Sequence, residues 1–139
     1  MEKLNSSDLM IGNYLQKDGI IHQVIAISGN ITDSKKGIKK AATIRTDKSS
    51  DYIFLDHFEP ILLTKSIVKK VGFIKLTQNE YIIEDFQKYI LNINESGGFD
   101  LIHYNKNKDI GIKICEIKYL HLLQNILKCN HNFVLKLKK

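Results

Sequence analysis

EIKYLHLLQNILK, from Glu116 to Lys128, is the stretch of sequence that decides the fold. At 100° per residue, one side of a helix built from it is apolar and carries Tyr119, Leu120, Leu122, Leu123, Ile126 and Leu127. The opposite side is polar and carries Lys118, His121, Gln124, Asn125 and Lys128. Burying six such apolar side chains is worth roughly 9–18 kcal/mol, whereas ordering the segment costs about 20 kcal/mol. The pattern therefore predicts an amphipathic helix that must dock on another surface.

The chain upstream of this helix is dominated by alternating apolar and polar residues, which predict strands. In the first sixty residues these runs are 9–15, 20–28, 42–46 and 52–55, with Asp18-Gly19 as a hairpin turn. After Pro60 we expect a short helix over 65–71 with Thr64 as its N-cap, then strands over 73–76, 81–83, 86–93, 99–104 and 110–115. Residues 133–137 are predicted to form a short edge strand, after Asn130 ends the long helix.

These elements predict an α+β fold. A small SH3-like β-barrel or curved sheet comes first, followed by an antiparallel sheet packed by the C-terminal amphipathic helix. The break at Pro60 predicts two subdomains, a β-rich one over residues 1–60 and an α+β one over residues 61–139.

Composition describes a folded, basic protein. The chain has 139 residues, of which 43% are hydrophobic, and 21 basic against 15 acidic residues give a net charge of +6. This charge permits binding to nucleic acid or to an acidic partner without requiring either. The first residues show no apolar leader, and no run approaches the roughly 18 apolar residues of a membrane span. We therefore expect a soluble protein of a reducing cytoplasm that does not contact the membrane.

Two basic regions are the candidate binding surfaces. One is the polar side of the long helix, with Lys118, His121, Gln124, Asn125 and Lys128, and the other is the polar stretch Gly29 to Lys40, predicted to be an exposed loop. That loop presents Lys35, Lys36, Lys39 and Lys40, and the only arginine, Arg45, follows it. Each region is either a contact surface for acidic groups or a nucleic-acid backbone, or simply a solvated surface. His121 is either a ligand-binding residue or a buried hydrogen-bonding residue.

Motifs for catalysis or cofactor binding are absent from the sequence. Cys115, His121, Cys129 and His131 lack the Cys-x-x-Cys spacing of a zinc site. There is no Gly-x-Ser-x-Gly motif, no phosphate-binding loop and no dinucleotide glycine pattern. We therefore predict a protein that is not an enzyme, with no catalytic residue, metal or cofactor.

Three short motifs resemble a group of small uncharacterised proteins encoded by phages and prophages of Bacteroidota. They are Leu9-Met10-Ile11-Gly12-Asn13-Tyr14, the helix entry from Pro60 to Thr64 with its Gly72-Phe73 ending, and Tyr119-Leu120-His121-Leu122-Leu123-Gln124-Asn125. The order and spacing of the motifs agree over most of the chain, but Leu122 stands where the group usually has Gln. The resemblance implies a phage or prophage accessory protein. Such a protein often binds a component of the host, and defence systems such as CRISPR effectors are common targets.

The sequence thus supports two hypotheses of different classes. The first is a non-enzymatic protein that binds a host protein or ribonucleoprotein, as a counter-defence inhibitor such as an anti-CRISPR. The second is a lysine-rich RNA- or DNA-binding module. The oligomeric state is not predicted.

Overall fold

The computed structural model describes residues 4, 6–33, 38–83, 86–104 and 111–138. Over these residues the chain forms two antiparallel sheets and two α-helices. It divides into two compact units, the first comprising Met1–Ile61 and Leu120–Ile126 and the second comprising Leu62–Tyr119 and Leu127–Lys139. The predicted α+β class is confirmed, with a strongly curled first sheet, a second antiparallel sheet and a C-terminal helix. The predicted subdomain boundary at Pro60 stays a prediction.

The first unit contains a five-stranded sheet with the strand order β4-β3-β2-β1-β5. Its strands are β1 (Tyr14–Lys17), β2 (Ile20–Asp33), β3 (Ile38–Thr46), β4 (Ile53–Phe54) and β5 (Glu59–Pro60), with short 3-10 helices at Ser6–Asp8 and Leu55–His57. Register shifts between β2 and β3 mark β-bulges, which bend and twist a strand. The sheet therefore curls around a small core formed by Leu9, Leu15, Val24, Ile44, Leu55 and Phe58.

The turn between β1 and β2 agrees with the sequence prediction. Asp18 and Gly19 both have positive φ, 51° and 76° respectively. Two consecutive residues of this kind match the twist of antiparallel strands, and glycine adopts such a φ without strain. The hairpin predicted at Asp18-Gly19 is confirmed.

The polar stretch from Gly29 to Lys40 is not the long loop that the sequence predicted. Its first part completes β2 and its last part begins β3, with Ile31 opposite Ala41 and Asp33 opposite Ile38. Only residues 34–37, between the strands, lie outside the described residues. The prediction failed because strands are recognised in a sequence by alternating apolar and polar residues, and this stretch is mostly polar. Backbone hydrogen bonds nevertheless extend the hairpin through it.

The second unit contains a meander in which each strand pairs with the next, in the order β10-β9-β8-β7-β6. Its strands are β6 (Ile74–Thr77), β7 (Glu80–Ile83), β8 (Phe86–Ile93), β9 (Phe99–Tyr104) and β10 (Gly111–Ile117). Helix α1 (Lys65–Lys70) precedes them, and its predicted N-cap is confirmed because the Thr64 hydroxyl accepts the Ile67 amide at 3.2 Å. One face of this sheet, the inner face, is buried through Tyr81, Leu91 and Leu101.

The long helix α2 runs from Leu120 to His131, four residues later at its start than the sequence predicted. Glu116 and Ile117 instead complete β10, opposite Asp100 and Phe99. The helix ends at His131, one residue beyond the predicted Asn130, and the next residue, Asn132, has the left-handed conformation of a C-cap, with a φ of 54°. Residues 133–137 form no strand, so the predicted edge strand is wrong.

Candidate interaction surfaces

The predicted polar side of α2 is not a continuous surface. Lys118 and Lys128 are exposed, but His121 is 4% exposed, Gln124 is 6% exposed and Asn125 is half-buried. The prediction of one solvated side was therefore wrong for Gln124, whereas the burial of His121 agrees with one of the two roles that the sequence left open. Helical periodicity cannot reveal this burial, because the groups that hydrogen-bond to Gln124 and Asn125 lie more than a hundred residues away in sequence.

Gln124 is hydrogen-bonded to the segment that leads into β1. Its Oε1 accepts the Tyr14 amide at 2.9 Å, and its Nε2 donates to the Gly12 carbonyl at 3.0 Å. A single side chain thus satisfies a donor and an acceptor two residues apart, as a neighbouring strand would. Gly12 has a φ of 98°, which glycine adopts readily and other residues rarely do.

Asn13 and Asn125 extend the same network. Asn13 Nδ2 donates to Asn125 Oδ1 at 2.8 Å, and Asn13 Oδ1 accepts the Met10 amide at 2.8 Å. Asn125 Nδ2 donates to the Asp8 carbonyl. The segment that leads into β1 and the middle of α2 therefore contact each other within the first unit through these polar side chains.

The lysines predicted between β2 and β3 lie mostly beyond what the structure describes. Lys35 and Lys36 are outside the described residues, whereas Lys39 and Lys40 belong to β3, with side chains that are not described. Arg45 is exposed on β3, opposite Ala26. Of the ten predicted binding residues, Gln124 and Asn125 take part in one hydrogen-bond network, which connects them to the segment that leads into β1. A binding role for the others stays a prediction.

Two histidines of the first unit are buried in ways that disfavour their charged form. His22 is 8% exposed, and its Nδ1 lies 2.8 Å from Thr46 Oγ1. Burial lowers the pKa of His22, and the positive charge of Lys48 lowers it further. Burial also lowers the pKa of His121, against a smaller opposing effect of Asp8.

The second unit presents a surface that the sequence pattern did not predict. Ile74, Ile82, Ile90 and Ile102 are paired in register across β6, β7, β8 and β9. Directly paired residues point to the same face, so these four side chains form one continuous row, which we call the isoleucine row. They alternate with the buried residues Tyr81, Leu91 and Leu101 and therefore lie on the outer face of the sheet. Ile74 is 45% exposed, and the other three are half-buried.

A polar row runs beside the isoleucine row on the same outer face. It consists of Thr77, Glu80, Asn92, Asp100 and Glu116, paired in register across all five strands. Hydrogen bonds hold its carboxylates in place. Thr77 Oγ1 donates to Glu80 at 2.9 Å, and Asn94 Nδ2 donates to Asp100 at 3.0 Å and to Glu116 at 3.2 Å. Among the residues that the structure describes, Lys113 is the cation in direct contact with the polar row, with its Nζ 3.4 Å from Asp100 Oδ1.

Both edges of this sheet are irregular. Register shifts lie between Lys75 and Thr77 in β6 and between Lys113 and Cys115 in β10. Bulges and lysines on edge strands discourage the addition of another strand. Neither edge of the sheet is therefore well suited to pair with a further strand.

A basic cluster lies where the C-terminal segment passes the end of α1. The Lys138 amide donates to the Lys70 carbonyl at 2.7 Å, and the nearby Leu135 is buried. This backbone contact brings Lys136 and Lys138 towards Lys69 and Lys70, and all four lysines are exposed. None of these four makes an ion pair with a described residue. This proximity could not be predicted from the sequence, because more than sixty residues separate the two segments.

Among the described residues, no group of three His, Cys, Asp or Glu side chains is placed to hold a metal ion. No helix in the described parts of the chain has the length and apolar character to cross a membrane. The chain matches no protein-family model, no curated protein and no solved structure.

Proposed function

We propose that this protein acts by binding another protein through the outer face of its second sheet. The observation that carries the proposal is the isoleucine row, in which four β-branched side chains are aligned across four strands and remain partly accessible. Aligned apolar side chains on an accessible face favour association, because covering them removes apolar surface from water.

The resemblance to phage and prophage proteins suggests what kind of protein the partner is. We propose a host protein or ribonucleoprotein in a bacterial cytoplasm, with the chain acting as a non-enzymatic accessory protein such as a counter-defence inhibitor. Binding to a host protein complex would require a stable contact surface and no reacting group, and the four paired strands that carry the isoleucine row supply such a surface.

Capture from cells tests the proposal. A photo-reactive amino acid at Ile74 should cross-link a reproducible partner in a Bacteroidota host, and the substitution Ile74→Asp should abolish recovery of that partner. Val134→Asp is the matched control, because Val134 is 49% exposed in the same unit but lies outside the sheet. Equal recovery with both aspartate variants would contradict a role for the isoleucine row.

A second candidate function, nucleic-acid binding, is favoured by the basic cluster. Four exposed lysines that contact four phosphates of a duplex would give a slope of about −3.6 for log affinity against log salt. Lys138→Glu should weaken binding, whereas Lys75→Glu, an equal charge change on the sheet edge, should not. Lys36→Glu would test the region predicted from the sequence in parallel. Failure to bind RNA or DNA at low salt would exclude this function.

A further inference from the structure

We infer that the occupant of the outer face is an amphipathic helix of a partner protein whose apolar side is bordered by lysine or arginine. This inference rests on the proposed function and specifies the chemistry of the partner. It draws on three features of the second unit: the length of the isoleucine row, the charge of the polar row, and the irregular edges of the sheet.

The isoleucine row fits one side of a short helix. Ile74 and Ile102 are three strand spacings apart, which is about 14 Å at 4.8 Å per spacing. A helix rises 1.5 Å per residue, so about ten residues, or three turns, cover that distance. A helix presents an apolar side while its backbone groups remain satisfied internally. It therefore does not need the strand edges that the bulges at Leu76 and Ile114 make unsuitable.

The polar row specifies the charge of the partner. Glu80, Asp100 and Glu116 contribute three carboxylates, and the ammonium group of Lys113 balances one of them. The polar row is therefore acidic, although the chain as a whole has a net charge of +6. Residues two apart on a strand are about 6.5–7 Å apart, so a helix seated on the isoleucines would bring its flanking side chains to these carboxylates. Lysine or arginine at those positions would be complementary, and aspartate or glutamate would be repelled.

The same charges disfavour a second copy of this chain as the occupant. Each of two identical outer faces would contribute the three carboxylates of its polar row. Among the described residues, Lys113 is the cation in contact with these carboxylates. Such an interface would have more acidic than basic groups along its polar row. The charge pattern therefore favours a different chain with a basic flank.

Two synthetic helical peptides provide the test. Both carry the same apolar side, with Leu and Ile at positions i, i+3, i+4 and i+7, and differ in having lysine or glutamate along the flank. Their binding to the full chain is measured by fluorescence anisotropy at 150 mM salt. We expect the lysine peptide to bind about tenfold more tightly than the glutamate peptide. Non-specific attraction to a protein of charge +6 would produce the opposite preference.

Charge reversal on the chain sharpens the comparison. The double substitution Glu80→Lys/Glu116→Lys should invert the preference, so that the glutamate peptide binds more tightly. Glu95→Lys is the control, because Glu95 is exposed in the turn after β8 and lies outside the polar row. Thermal unfolding of each variant verifies that the sheet remains folded. A preference that does not invert would overturn the inference.

The outcomes separate this inference from the proposed function. If both peptides bind equally and Ile74→Asp removes both, the face binds proteins but the assigned charge is wrong. If neither peptide binds while Ile74→Asp still abolishes capture from cells, the proposed function holds and the amphipathic helix is the wrong partner. Self-association abolished by Ile74→Asp would identify a second copy as the occupant and also overturn the inference.

Discussion

Replacing Gln124 with alanine should destabilise the first unit strongly, although the sequence pattern placed this residue on a solvated surface. Gln124 is 6% exposed, and its Oε1 accepts a hydrogen bond from the Tyr14 amide at 2.9 Å. Removing the acceptor leaves a buried N–H group unsatisfied, which costs about 1–3 kcal/mol. The Gly12 carbonyl loses one donor but retains Gln23 Nε2 at 3.2 Å. Adding the lost methylene contact, we expect the free energy of unfolding to fall by about 2–4 kcal/mol.

Urea unfolding followed by far-UV circular dichroism measures this loss. Gln124→Met preserves most of the side-chain volume without the hydrogen bonds, so it should lose only the hydrogen-bond part, about 1–3 kcal/mol. Gln78→Ala is the surface control, because Gln78 is exposed in the turn after β6, and its effect should stay within about 0.5 kcal/mol. A loss below about 0.5 kcal/mol for Gln124→Ala would refute the assignment of a structural role.

Two further measurements test the local interactions. Thr64→Ala should lower the free energy of unfolding by about 1 kcal/mol because it removes the N-cap of α1, and Thr64→Ser should restore it; equal stability of both variants would show that the cap contributes nothing. Since burial lowers the pKa of His22 and of His121 in the folded state, the unfolded state binds more protons below pH 6.5. The contribution of these two histidines to stability should therefore be constant above about pH 7 and fall as the pH decreases below 6.5. Urea unfolding between about pH 5 and pH 7 measures this dependence, and a stability that does not fall over that range would contradict the burial of the two histidines.

Much of the fold could be predicted because the deciding signals are local. Asp18-Gly19 specifies its own turn, Thr64 caps its own helix, and alternation within each segment of the meander indicates a strand. The predicted start of α2 was wrong because Glu116 and Ile117 do not fit the helical period. At 100° per residue, Glu116 falls among the apolar residues of the helix and Ile117 falls among the polar ones. Both residues continue β10 instead, where they pair with Asp100 and Phe99.

The candidate surfaces could not be predicted because they depend on contacts between distant segments. Ile74, Ile82, Ile90 and Ile102 look like ordinary strand residues until the register of three hairpins aligns them. A shift of one residue in any pairing would send part of the row to the buried face. Gln124 shows the same limit in reverse, since its burial depends on backbone groups near Gly12.

The discontinuity of the first unit has a consequence during synthesis on the ribosome. Leu62–Tyr119 must be translated between the two parts of that unit, and about 60 residues at 5–20 residues per second take about 3–12 s. Throughout that delay the nascent β1 lacks Gln124, the acceptor for its Tyr14 amide. The N-terminal sheet is thus translated first, but its unit stays incomplete until Leu120–Ile126 has been made, and cellular chaperones have several seconds in which to engage it.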